Sequence, residues 1–119
     1  MMAILCSDGQ MSISDVQDEC IRQKWIPLLT YRKVNDDIIY LPVFTIEDTA
    51  RNFIKRNLPK KWTHAGIWLA DKDLEKIQHN GWKLEHFSFP RKICSDPSIQ
   101  LGFDIHEFTS EPDLTYKYA

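Results

Sequence analysis

The stretch IIYLPVFTIEDTARNF, residues 38–53, joins a strand-forming run to an amphipathic helix across a single polar cap. Its first seven residues are rich in β-branched and aromatic side chains, which suit a pleated, half-buried surface. Thr45 then offers a hydroxyl as N-cap, with Asp48 three residues on as partner and Glu47 adding negative charge at the positive end of the helix dipole. Ile46, Ala50, Phe53 and Ile54 recur at i, i+4, i+7 and i+8 as one apolar stripe, whereas Glu47, Arg51, Asn52, Lys55 and Arg56 fall away from it. Pro59 restricts Leu58 and cannot continue the ladder, so the helix ends near Asn57. Every residue in the stretch has a structural role, and it reads as a join between elements, not as a reaction site.

The other elements carry local signals of the same kind. SISDVQDECIRQ has Ser14 as N-cap and Gln17 three residues later, predicting a first helix over 15–23 with Ile13, Val16 and Cys20 near one face. KWIPLLTYRKV and IIYLPVF flank the polar turn Asn35-Asp36-Asp37 as a hairpin, with Pro27 and Pro42 confined to an edge, a strand end or a bulge. AGIWLA suits a buried strand; DKDLEKIQHNG starts at an Asp cap and stops at Asn80-Gly81. In WKLEHFSFP, Trp82, Leu84 and His86 share one face while Lys83, Glu85, Phe87 and Phe89 share the other. RKICSDPS is a loop, and IQLGFDIHEF alternates through Ile99, Leu101, Phe103 and Ile105 as a further strand. The order of elements predicts an α+β fold: one mixed or antiparallel sheet of four to five strands, with two to three helices mainly on one face. Residues 1–12 are expected to be a flexible N-terminus and 13–108 a single domain. Residues 109–119 form a tail whose Leu114, Tyr116 and Tyr118 alternate and suit packing on the sheet or on a second subunit.

A chain of 119 residues can bury one self-sufficient core. Fifteen Lys and Arg against seventeen Asp and Glu leave a formal charge of −2, which exerts no general pull toward nucleic acid or an anionic membrane. Ala3 to Cys6 is too short an apolar run for a signal peptide, and no window approaches a membrane span, so the cytoplasm is the expected compartment. Three widely spaced cysteines, Cys6, Cys20 and Cys94, read as reduced thiols.

Candidate chemistry is sparse. The cysteines and His64, His79, His86 and His106 have no zinc-ligand spacing, although a fold could gather Cys94 with His86. Read structurally, the thiols are small apolar fillers and the histidines lie at the surface or at strand edges. Cys94 sits beside Arg91 and Lys92, which favour thiolate, but nothing marks it as a nucleophile. No phosphate-cradling motif occurs, and neither a cofactor nor a metal is expected. The sharpest local feature is KRNLPKKWTH: Lys55, Arg56, Lys60 and Lys61 around a prolyl loop ending in Trp62, the ingredients of single-strand or RNA binding. Its structural reading is a helix C-terminus stabilised by cations, with Trp62 covering the core. Of four tryptophans, Trp68 and Trp82 fall in strands, whereas Trp25 and Trp62 flank prolines or loops and, with Tyr116 and Tyr118, are candidates for an interface.

YLPVFTIEDTARNF, then Trp62 and GIWLADKDLEKIQHNGWKLEHFSFP, resembles the N-terminal domain of SseB-like proteins and related small bacterial domains. There a strand ending in "lPvF" leads into a helix bearing "eeA..f", followed by a second short strand and helix, a glycine and a final strand. The resemblance covers Trp25 to Pro90 and rests on the structural positions Pro42, Phe44, Ala50, Phe53 and Gly81. It implies a non-enzymatic accessory or interaction domain. The leading expectation is thus a protein-interaction or regulatory module that meets a protein partner or its own copy. A nucleic-acid-binding domain using the basic loop comes second, and a small enzyme with a cysteine or histidine centre third.

Overall fold

The structure, a computed structural model, describes residues 1–109. Its elements are β1 (Met2–Ser7), α1 (Ile13–Gln23), β2 (Trp25–Lys33), β3 (Tyr40–Val43), α2 (Glu47–Asn57), β4 (Thr63–Trp68), α3 (Asp71–His79), β5 (Lys83–His86) and β6 (Ile99–Glu107). They form one α+β unit with a six-stranded mixed sheet, antiparallel except where β3 runs parallel to β5.

β2 is the hub. One edge pairs with β6 along its length, from Trp25 opposite Glu107 to Lys33 opposite Ile99. The other edge is shared, with Leu28 opposite Leu5 of β1 and Tyr31 opposite Tyr40 of β3. β4 extends the sheet beyond β1 and β5 beyond β3, while Met2 and Phe44 exchange two backbone hydrogen bonds of 2.8 Å where these wings meet. The β2–β3 turn forms at the expected Asn35-Asp36-Asp37: Asn35 adopts φ 72°, and the Asp36 carboxylate accepts from the Ile38 N–H at 2.7 Å and the Tyr40 hydroxyl at 2.6 Å.

Residues 1–12 are not a flexible leader, because β1 lies inside the sheet between β4 and β2 with Met2 to Cys6 fully buried. A strand buried on both faces reads as a short unbroken apolar run, without the alternation that marks a half-buried strand. β1 divides its side chains between two cores. Met2, Ile4 and Cys6 join Phe44, Phe53 and Phe87 beneath α2, where the Phe53 and Phe87 rings lie 4.9 Å apart. Ala3 and Leu5 join Val16, Cys20, Leu28, Ile67, Leu74 and Ile77 beneath α1 and α3. Two helices therefore cover one face and one helix the other.

The helix starts differ in detail from the sequence reading. Ser12, not Ser14, caps α1 by accepting from the Asp15 N–H at 3.2 Å. α2 has Ile46 at its N-cap with no side-chain cap; Thr45 lies 3.4 Å from His86 Nε2 instead. α3 likewise starts from Ala70, not from an Asp cap. Its end falls at Asn80-Gly81, where Gly81 takes φ 90°, the left-handed region open to glycine. Gly9 also takes φ 90°, and a Cβ there would stand 1.9 Å from the Lys61 carbonyl oxygen, so the turn after β1 packs directly against the basic loop. The loop after β5 is fastened by buried Asn57, whose side chain donates to the Arg91 carbonyl at 2.8 Å and accepts from the Ile93 and Cys94 N–H groups at 2.7 and 3.0 Å.

Candidate interaction surface

β6 places opposite chemistries on its two faces. Gln100, Asp104 and His106 belong to one, and Ile99, Leu101, Phe103 and Ile105 to the other. Alternation alone would bury the apolar set. Ile99 and Leu101 do pack against the core beneath α2, but Phe103 is 39% exposed and Ile105 52% exposed.

The polar face is buried or paired over the same stretch. Asp104 accepts two hydrogen bonds from the Arg32 guanidinium, at 2.8 and 3.1 Å, and one from the hydroxyl of fully buried Thr30. Burial pushes the Asp104 carboxyl up, but the Arg32 and Thr30 hydrogen bonds outweigh it and hold the group below its ordinary value. His106 and Asp73 are both buried, with His106 Nε2 2.9 Å from Asp73 Oδ1. The Thr109 N–H, at 2.7 Å, and the Thr109 hydroxyl, at 3.2 Å, donate to the same oxygen. Here too burial raises the carboxyl, and the hydrogen bonds from Thr109 and His106 together win and lower it. Asp73 Oδ2 is buried without a hydrogen-bond partner among the described residues. Lys76 Nζ adds a hydrogen bond of 3.0 Å to the Glu107 carbonyl, so α3 grips the end of β6 at two points.

Beside the exposed apolar pair lies a groove of about 190 Å³, lined by Met11, Val16, Cys20, Trp25, Pro27, Phe103 and Ile105, with Ser7 and Glu19 at its polar positions. Glu19 is occupied by hydrogen bonds from Arg22 and Gln23. The outer edge of β6, nine residues without lysine or proline, pairs with no strand among the described residues. An edge with no pairing strand among the described residues, next to an apolar groove, offers main-chain hydrogen bonds and a side-chain recess together.

The residues singled out from sequence are dispersed. Trp25 is half-buried and lines the groove. Trp62 is also half-buried and packs edge-on against Phe103, with centroids 5.9 Å apart. Lys55, Arg56, Lys60 and Lys61 are exposed around the end of α2. Tyr116 and Tyr118 lie outside the described residues. Phe103, Ile105 and Met11 were not among the sequence candidates, because alternation shows which residues share a face but not which face is covered.

Cys94 and His86 are not brought together as a pair: the Cys94 thiol donates to the Arg56 carbonyl at 3.4 Å, and His86 faces Thr45. Burial pushes the Cys6 thiol up to about 12 and the Cys20 thiol up to about 11, so both are protonated fillers at neutral pH. The reading of His106 as a surface or strand-edge group is corrected by its burial against Asp73. Among the described residues no His, Cys, Asp and Glu group is arranged to hold a metal ion, and no helix is long and apolar enough to cross a membrane. Compared with known proteins, the chain matches no family model, no curated protein and no solved structure.

Proposed function

We propose that this protein is a non-enzymatic interaction module that captures an extended segment of a protein partner along the outer edge of β6. The observation that carries this reading is the exposure of Phe103 and Ile105 on a strand whose opposite face is occupied by polar contacts. An incoming strand would pair with the free backbone groups of β6 and place alternate apolar side chains in the Trp25 groove. The resemblance to SseB-like domains points to the same kind of non-enzymatic accessory or interaction role. Nucleic acid is the weaker reading: the Trp62 ring is already engaged by Phe103, which leaves the basic loop without a free stacking platform.

The test is selection of nine-residue peptides from a displayed random library, with the selected peptides titrated into the isotope-labelled protein. The expected peptides alternate apolar residues, shift the Trp25 indole and the β6 amides, and bind the Ile105→Lys variant at least about tenfold more weakly. Peptides that map elsewhere, or that bind the variant equally, would overturn the assignment. A concentration-dependent dimer lost in the same variant would put a second copy of the chain on this surface in place of a partner.

A further inference from the structure

A second concavity, of about 340 Å³, lies at the end of α2 and is lined by Ile54, Lys55, Leu58, Pro59, Lys60 and His64. Its volume is within the range of small-molecule sites. Its lining among the described residues is chemically one-sided: two lysines, an imidazole and three apolar side chains, with no carboxylate, in a chain where acidic residues outnumber basic ones seventeen to fifteen. Arg32 is taken up by Asp104 and Arg51 by Glu47. Lys55 and Lys60 form no ion pair among the described residues. His64 is half-buried on β4, Ile54 is buried on the underside of α2 and Leu58 is buried at its C-cap, while Lys55 and Lys60 are exposed.

We propose that this groove binds a small organic carboxylate with an apolar body, the carboxylate held by Lys55 and Lys60 and the body laid against Ile54, Leu58 and Pro59. Charge complementarity selects an anion, and the apolar wall selects one that brings hydrocarbon with it. A nucleotide fits less well: among the described residues no aromatic side chain lines the groove for a base, and no glycine turn aims backbone N–H groups at phosphates. Burial lowers the proton affinity of His64, which leaves it neutral at pH 7, and an anion bound beside it would raise that affinity again. The groove shares no described lining residue with the β6 groove, so either can be altered by its own variants, although Trp62, between Lys60 and His64 in the chain, packs on Phe103.

The experiment is a titration of the labelled protein with sodium octanoate at fixed ionic strength, following the His64 ring nitrogens and the Leu58 methyl groups. Saturable shifts at both positions are expected, with the His64 titration midpoint moved upward. Lys55→Gln and Lys60→Gln should each weaken binding about tenfold, the worth of one charged contact, without changing the unfolding midpoint. Absence of saturable shifts would overturn the proposal. So would equal shifts with inorganic phosphate, which would mark a bare anion site, or tighter, salt-sensitive binding of oligouridylate lost in the same two variants, which would mark nucleic acid.

Discussion

Between residues 103 and 106, β6 turns polar side chains into the fold on one face and exposes apolar ones on the other. Asp104 and His106 turn inward to Arg32, Thr30 and Asp73, while Phe103 and Ile105 meet solvent beside Trp25. Only four residues earlier the same apolar face is covered, where Ile99 and Leu101 pack on the core beneath α2. The difference separates two tasks that apolar burial normally performs together. Directional polar contacts hold this end of the strand in register, since a slip of one residue would bring Phe103 and Ile105 inward and strand two charged or titratable groups in solvent. Ile105 is then not needed to hold the fold, while the Phe103 ring still packs edge-on against Trp62.

Breaking the polar face should cost the most. His106→Ala leaves Asp73 buried without its ring partner, and a loss of about 3–5 kcal/mol in urea unfolding is expected; a loss below about 1 kcal/mol would show that α3 does not depend on this clasp. Asp104→Ala removes an acceptor from buried Thr30 and half-exposed Arg32, so a smaller loss of about 1–2 kcal/mol is expected in the same assay. Acid should act on both groups. Asp73 and Asp104 have folded pKa values held below the ordinary 3.8, so their contribution is complete above that value and is lost as pH falls through the folded ones. Stability measured from pH 6 downward should therefore decline in acid, and Asp104→Asn should flatten the decline. On the apolar face, Ile105→Lys should change stability by no more than about 0.5 kcal/mol, since it replaces an exposed side chain.

Most of the fold was legible in the chain because it rests on local signals. The stripe Ala50, Phe53 and Ile54, the stop at Asn80-Gly81, the turn at Asn35 to Asp37 and the alternation that sends Phe87 to one core and Leu84 to the other all act within a few residues. β1 was missed because its burial on both faces erases alternation, and its partners Leu28 and Ile67 lie far along the chain. The candidate surface was legible only at Trp25. Whether Phe103 and Ile105 point into a core depends on where α2 stops covering the sheet. The pairing of His106 with Asp73 spans 33 residues and that of Asp104 with Arg32 spans 72, and no local pattern announces either. Trp62 was legible as an aromatic beside cations, but its engagement by Phe103 was not.

The most direct measurement is made on the Ile105→Lys variant: its urea unfolding midpoint, and its affinity for a peptide selected on the unaltered protein. The expected result is a midpoint close to that of the unaltered protein with binding weakened at least about tenfold. A variant that unfolds would show that this side chain belongs to the core, and one that binds equally would place the docking surface elsewhere.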